Sequence, residues 1–211
     1  MTIREVAPDP SRASVFSIDL ILGFLTTGNL ASERVRSLAQ PVTQIFQKAY
    51  QYGIRNFVLF QDAHHFQAPE FDAFPPHAIA HTEEAETIPE LKALSFSNIF
   101  TVFKKNSLHP ALGTGFDNWL DGHRNVNVAL VVGNCTDLCV YHLAMYLRLR
   151  ANALNYRDYQ VIVPANAVDT YELTEDVAQQ SGSYAHPADF FHQTFLYHMA
   201  LNGIRVIRKL T

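Results

Sequence analysis

Short apolar runs alternate with segments of helical periodicity along the chain, and this alternation constrains the fold more than any other feature. The strand-like runs lie at 14–20, 57–60, 98–103, 126–132, 159–168 and 204–210. Helices are predicted at 41–53, 115–122, 140–154 and 186–203. Near-continuous apolar strands that alternate with helices favour a parallel sheet covered on both faces. We therefore predict a three-layer α/β/α fold, Rossmann-like, with a mostly parallel six-stranded sheet.

The length and charge of the chain limit its class and its partners. Its 211 residues fit one domain that spans 1–211, and its net charge of −4 offers no basic surface for nucleic acid. The longest apolar stretch near the start, VFSIDLILGFL, contains Asp19 and is too short to span a bilayer. Two cysteines do not make a disulfide framework. We expect a cytoplasmic protein that binds neither nucleic acid nor a membrane.

Polar, titratable side chains follow four of the predicted strands. In chain order they are Asp19, Asp62 with His64, Lys104 with Lys105, and the turn GNCTDLCV at 133–140. The carboxyl ends of parallel strands form the crevice in which open α/β sheets bind their ligands. We therefore expect these side chains to meet at one edge of the sheet.

The turn GNCTDLCV places both cysteines at the start of a predicted helix. Cys139 falls in the first turn, with Thr136 or a neighbour as the N-cap residue. Free N–H groups and the helix dipole there would lower the pKa of the thiol and could hold an oxyanion. A buried, inert cysteine is the common alternative, and Cys135 keeps that interpretation. A zinc site is disfavoured because two cysteines lack the second pair of ligands.

Asp19 and the two lysines each have two interpretations. Asp19 is either a general base beside a thiol or a carboxylate that caps a loop. Lys104 and Lys105 stabilise charge in the crevice or are solvated surface lysines. Only one of the two can point into the crevice, because side chains alternate along a strand.

The segment 61–90 is rich in proline, histidine and acidic residues and predicts a long loop or a partly helical excursion, and long loops in compact domains are usually functional. Its candidate ligands are Asp62, His64, His65, Glu70, His77 and His81. An Asp-x-His pair followed by a more distant histidine supplies the mixed ligands that suit zinc, iron or manganese, with polar surface as the alternative. Phe74 in this loop and Phe24 before it either stack on a flat ring or belong to the core.

Taken together, these segments resemble the isochorismatase-like cysteine hydrolases and, within them, the plant-type nicotinamidases. VVGNCTDLCV resembles the nucleophile motif of the family and is the most specific match. The other matching segments are Asp19 with Phe24, Gly28 and Leu30, then QDAHH with FPPH, then FKKNS, and then HPADFFHQTFLYHMA.

The resemblance implies a catalytic triad and a metal site. Cys139 would be the nucleophile, Asp19 the base and Lys105 the third member, because the lysine of the family is often followed by Asn or a small polar residue. The implied ligands of a divalent metal, zinc before iron or manganese, are Asp62, His64 and His77, with Glu70 through a water molecule. The backbone amides of Cys135 and Cys139 would form an oxyanion hole beside a cis Asn134–Cys135 peptide. Phe24 and Phe74 would bracket the ring of the substrate.

The implied reaction is hydrolysis of a small-molecule amide, most simply nicotinamide to nicotinate and ammonia, through a thioester and in a homo-oligomer. The alternatives are another amide, a carbamoyl group or an isochorismate-like vinyl ether as substrate, and a catalytically silent binding protein with the same fold. Three residues depart from the pattern of the family and are expected to touch the pocket wall: Ile21, His81 and Leu108.

Overall fold

The computed structural model describes residues 1–211, the side chain of Ser181 excepted. The strands are β1 (Ala13–Ile18), β2 (Asn56–Asp62), β3 (Phe100–Lys105), β4 (Val128–Asn134), β5 (Gln160–Pro164), β6 (Val168–Asp169) and β7 (Arg205–Ile207). The helices are α1 (Ile3–Val6), α2 (Leu22–Leu25), α3 (Glu33–Arg36), α4 (Ala39–Tyr52), α5 (Pro89–Lys92), α6 (Phe116–Gly122), α7 (Cys139–Ala153), α8 (Glu175–Ser181) and α9 (Ala188–Leu201).

The strands form one parallel sheet in the order β3-β2-β1-β4-β5-β7, and β6 also pairs with β4. The predicted parallel α/β fold is confirmed, with seven strands where the sequence predicted six. The difference lies in the run 159–168, which contains β5, a 3-10 turn at Ala165–Ala167 and the first residue of β6. β5 pairs with the first residues of β4, and after the turn β6 pairs with its last two residues, Gly133 and Asn134.

Two hydrophobic cores cover the two faces of the sheet. α4 packs Val42, Ile45, Phe46 and Ala49 against one face. α6, α7 and α9 contribute to the core on the other face, which also contains Phe16. Adjacent β1 residues lie in different cores because side chains alternate across the sheet, with Val15 on one side and Phe16 on the other. This burial of both faces explains why the central strands β1, β2 and β4 are largely apolar.

The long helices begin and end close to the predicted positions. α4 ends at Tyr52 and is capped by Gly53, whose φ of 113° lies in the left-handed region that glycine adopts without strain. α7 begins at Cys139, and its N-cap residue is Leu138, a neighbour of Thr136. Thr136 does not cap the helix, and its hydroxyl lies 2.9 Å from Nδ1 of His192. No helix in the described part of the chain has the length and apolar character needed to cross a bilayer.

Gly133 allows β4 to approach β1 closely at the start of the predicted nucleophile turn, GNCTDLCV at 133–140. Its φ is 114°, and a Cβ atom there would lie 2.1 Å from the carbonyl oxygen of Ile18. A side chain at this position would therefore displace the backbone that leads directly into Asp19 on one strand and Asn134 on the other.

Candidate active site

Three of the predicted site residues meet at the carboxyl edge of the sheet. Asp19 follows β1, Lys105 ends β3, and Cys139 is the first residue of α7. The Nζ atom of Lys105 lies 2.9 Å from Oδ2 of Asp19 and 3.4 Å from Sγ of Cys139. All three side chains are buried, so their charges interact through protein rather than through bulk water. The arrangement can pass a proton between the thiol and the carboxylate beside a fixed cation.

The two adjacent lysines point to opposite faces of the sheet, as the alternation of strand side chains requires. Lys105 reaches Asp19 and Cys139, whereas Lys104 donates to Oε1 of Gln61 and to the carbonyl oxygen of Ala85. The structure thus brings Lys105 and not Lys104 to the thiol.

The electrostatics of the buried groups favour a neutral resting thiol. Burial, together with Asp19 and Asp62, raises the pKa of Cys139 well above its usual range, although Lys105 opposes the shift. The pKa lowering expected from the helix terminus is therefore wrong, because desolvation and two nearby carboxylates outweigh it. A protonated thiol needs a base before it can attack a substrate.

Asp19 is suited to be that base. Burial and the neighbouring carboxylate of Asp62 raise its pKa to about 6, while Lys105 lowers it. Burial opposes the charge on Lys105, but Asp19 and Asp62 hold the pKa of the lysine well above its usual range. Lys105 therefore stays charged and helps to keep Asp19 mostly ionised near neutral pH.

The nucleophile turn presents unused backbone donors to the site. The Asn134–Cys135 peptide is cis, as the family resemblance implied. Within the described chain, the N–H groups of Cys135 and Cys139 donate to no other protein group. Free N–H groups at the start of a helix are suited to hold an oxyanion.

A cluster of metal-ligand type lies beside Lys105. Asp62, His64 and His77 each offer one ligand atom, and these atoms all lie within 4.8 Å of one another. Nε2 of His64 is 3.3 Å from Oδ1 of Asp62, and Nε2 of His77 is 3.8 Å from Oδ2 of the same carboxylate. Oε1 of Glu70 lies 3.6 Å from Nε2 of His64. All four residues predicted for the metal therefore converge.

The surroundings of this cluster fit a divalent cation. Nδ1 of His77 contacts the carbonyl oxygen of Pro75 at 2.8 Å, and Nδ1 of His64 contacts the amide oxygen of Asn106 at 3.3 Å. Such contacts leave the Nε2 lone pair of each ring directed at the cluster. Three buried atoms there have no hydrogen-bond partner: Asp62 Oδ2, His64 Nε2 and Glu70 Oε1. A cation would satisfy them, whereas His65 and His81 are exposed and lie outside the cluster.

A mostly apolar pocket joins the thiol to this cluster. Its empty volume is about 440 Å³, counting its open mouth. It is lined by Asp19, Phe24, Leu30, Val35, Asp62, Glu70, Phe74, His77, Leu108, Asn134, Cys135, Leu138, Cys139 and Tyr171. Both predicted ring-binding residues, Phe24 and Phe74, are therefore in the wall. Apolar walls with a few polar groups are typical of sites for small molecules.

The three departures from the family pattern behave differently in the structure. Leu108 lines the pocket, as expected. The expectation for the other two is wrong: Ile21 is fully buried and pairs with Thr87, and His81 is exposed. Only Leu108 can therefore alter the pocket wall by direct contact.

Several residues of the site carried no signal in the sequence that we recognised. Tyr171 and Leu138 line the pocket. Asn134 donates from Nδ2 to the carbonyl oxygen of Asp19 at 2.7 Å, and Asn106 contacts His64. The motifs contain Asn134 and Asn106, but their roles depend on contacts between distant strands.

Comparison with known proteins agrees with this geometry. Residues 13–208 match the isochorismatase domain. The chain belongs to the isochorismatase family. It is 29% identical to Nicotinamidase 1 of Arabidopsis thaliana over 221 residues, which cover 95% of this chain and 87% of the relative.

Solved structures of isochorismatase-fold enzymes have the same architecture. The nicotinamidase of Bacillus subtilis superposes with a TM-score of 0.73 at 22% identity, over 93% of this chain and 99% of its own. The pyrazinamidase of Pyrococcus horikoshii in complex with zinc gives a TM-score of 0.68 at 17% identity, over 93% and 98% of the two chains. At these identities the likeness shows the fold.

Proposed function

We propose that this isochorismatase-family chain is a cysteine-dependent amidohydrolase whose substrate is nicotinamide, which it converts to nicotinate and ammonia. The observation that carries the proposal is the contact of Lys105 with both Asp19 and Cys139, at 2.9 and 3.4 Å. Asp19 and Cys139 line a pocket whose wall also contains Asp62 and His77 of the Asp/His/His cluster. The similarity to a plant nicotinamidase over 95% of the chain supports this choice of substrate.

The reaction begins with transfer of the Cys139 proton to Asp19, and the sulfur then attacks the carbonyl carbon of the amide. The negative oxygen of the tetrahedral intermediate accepts hydrogen bonds from the free amides of Cys135 and Cys139. Asp19 returns its proton to the leaving nitrogen, the C–N bond breaks, and ammonia departs. A thioester on Cys139 remains.

Water completes the cycle. Asp19 takes a proton from a water molecule, which attacks the thioester carbon, and the C–S bond breaks. The proton then returns to the sulfur, so the enzyme regains its starting form and releases nicotinate. Lys105 stays charged throughout and limits the cost of burying Asp19 as a carboxylate.

Asp62, His64 and His77, with Glu70 beside them, would hold a divalent metal, for which we propose zinc before iron or manganese. The ion would supply a Lewis acid that binds and orients a ring nitrogen. Phe24 and Phe74 would bracket the ring, and Leu108 and Tyr171 would close the remaining wall.

Other features of the chain stay predictions. We propose that it forms one domain, assembles as a homo-oligomer, and works in the cytoplasm without nucleic acid or membrane. Sedimentation of the purified protein tests the oligomer.

Ammonia release from nicotinamide is the experiment that tests this function. The purified protein is assayed as isolated, after chelation, and after zinc is restored, beside a panel of other amides and N-carbamoyl compounds. We expect release from nicotinamide that chelation lowers and zinc restores. If the folded, zinc-loaded protein releases ammonia from another amide but none from nicotinamide, the assignment of substrate is wrong.

A further inference from the structure

The centre of the nucleophile turn is fixed by a buried acid–histidine pair that the proposed reaction does not use. Asp137 is 5% exposed and His186 is 8% exposed. Nε2 of His186 lies 2.8 Å from Oδ2 of Asp137. Asp137 stands midway between Cys135 and Cys139, whose amides would hold the oxyanion. A shift of Asp137 would therefore move both donors and the thiol.

The imidazole of His186 also contacts Tyr171, which lines the pocket. Its Nδ1 atom lies 2.8 Å from the carbonyl oxygen of Tyr171, and its ring stacks on that of Tyr171 at 4.0 Å and 12°. Phe191 of α9 stacks on the opposite face of the imidazole at 4.3 Å and 5°. The backbone of His186 also exchanges two hydrogen bonds with Leu173, at 3.0 and 2.8 Å. One side chain thus joins the nucleophile turn to Tyr171.

The partners of the two ring nitrogens determine the charge of this histidine. A backbone carbonyl and a carboxylate can only accept hydrogen bonds, so each nitrogen must carry a hydrogen to satisfy both. Burial alone would lower the pKa of His186, but Asp137 and the Tyr171 carbonyl outweigh it and raise the pKa. Asp137 and Tyr171 are the titratable residues that contact the ring, while α9 contributes the apolar Phe191.

We propose that His186, as an imidazolium, is a positioning residue that ties Asp137 of the nucleophile turn to the Tyr171 wall of the pocket. The inference rests on the proposed function, because it assigns His186 the task of aligning Cys139 and the oxyanion donors with the substrate. A charged hydrogen bond at each nitrogen fixes both the distance and the angle between these two segments. Stacking on two rings prevents the imidazole from rotating away.

Two variants and one matched control test the role. His186→Gln and Asp137→Asn each remove the ion pair. His123→Gln is the control, because His123 also stacks on an aromatic ring, that of Trp119 at 3.9 Å, and contacts the Trp119 carbonyl at 2.7 Å. It pairs with no carboxylate in the described structure and does not line the pocket.

The first readout is alkylation of Cys139 by iodoacetamide, followed by mass spectrometry, which needs no turnover of nicotinamide. We expect both variants to slow alkylation and to lower kcat about tenfold, since a misplaced reacting group is costly. The control should stay within about twofold of the wild type. Circular dichroism and the unfolding midpoint identify which variants are folded.

The second readout is ¹⁵N NMR of the wild-type imidazole, which does not depend on any substitution. Hydrogen on both nitrogens of His186 near neutral pH is expected, and a neutral ring would overturn the proposal. A folded His186→Gln protein with wild-type alkylation and kcat would overturn it as well. If the wild type releases no ammonia from nicotinamide, the proposed function fails, but the alkylation rates and the NMR still decide the role of His186.

Discussion

The Nζ atom of Lys105 lies 2.5 Å from Oδ1 of Asp62, so the lysine that contacts the proposed nucleophile also contacts a proposed metal ligand. The same nitrogen is 2.9 Å from Asp19. Although burial would raise the pKa of Asp62, Lys105 and His64 hold it well below the usual range. The proposed triad and metal site therefore form one electrostatic unit with Lys105 at its centre.

Replacing Lys105 with methionine should impair both parts of that unit. The substitution leaves the carboxylates of Asp19 and Asp62 without their buried cation, and breaking such a pair costs about 3–5 kcal/mol of stability. Ammonia release should fall to background, and the urea midpoint should drop. Lys104→Met is the matched control, since Lys104 contacts Gln61 and Ala85 away from the thiol. Equal activity loss in both variants would argue against the role of Lys105.

Adjacent histidines offer a second matched pair. His64→Ala should weaken zinc binding by at least about 100-fold, because even the loss of a group that only supports a ligand costs up to that much. His65→Ala should bind zinc normally, since its side chain is exposed. Competition of each variant with a coloured zinc chelator measures the affinity. Unchanged zinc affinity in folded His64→Ala would exclude His64 as a ligand.

The ring-binding role of Phe74 predicts an effect on substrate binding. Phe74→Ala removes an aromatic face from the pocket wall and should raise KM for nicotinamide roughly three- to tenfold, the range expected for one lost aromatic contact. Phe66, which is 66% exposed, provides the control as Phe66→Ala. Steady-state kinetics decide the matter, and an unchanged KM in Phe74→Ala would contradict the bracketing of the ring.

The pair of His186 and Asp137 predicts a dependence of stability on pH. Because folding raises the pKa of His186, its contribution is complete below the unfolded pKa and is lost as pH rises through the folded value. The unfolding free energies of wild type and His186→Gln should therefore differ more at about pH 6 than at about pH 9. Urea unfolding at both values measures this. A larger difference in unfolding free energy at the higher pH would contradict this prediction.

Much of the fold was predictable because its signals are local. The periodicity of α4 and α7 follows from burial of one helix face, and the largely apolar strands β1, β2 and β4 follow from burial of both faces of the sheet. The run 159–168 was predicted as one strand because Ala165–Ala167 interrupt the apolar residues at a single polar position, Asn166. Only pairing with β4 shows that the chain changes position there.

The site was predictable where a strand end carried a titratable group, as at Asp19, Asp62, Lys105 and the Cys139 turn. Tyr171 and His186 were not, because their stacking joins positions 15 residues apart through an antiparallel pair that has no periodic pattern. The pKa of Cys139 was also predicted in the wrong direction. A helix terminus is visible in a sequence, but the burial of the thiol and its distance from two carboxylates are not.

The most direct test of the account compares the two cysteines of the nucleophile turn in the same assay. Cys139→Ala removes the proposed nucleophile, whereas Cys135→Ala keeps the backbone amide that is proposed to hold the oxyanion. We predict that ammonia release from nicotinamide falls at least about 1000-fold in folded Cys139→Ala and persists in Cys135→Ala. Turnover by Cys139→Ala at a rate near that of the wild type would contradict the account.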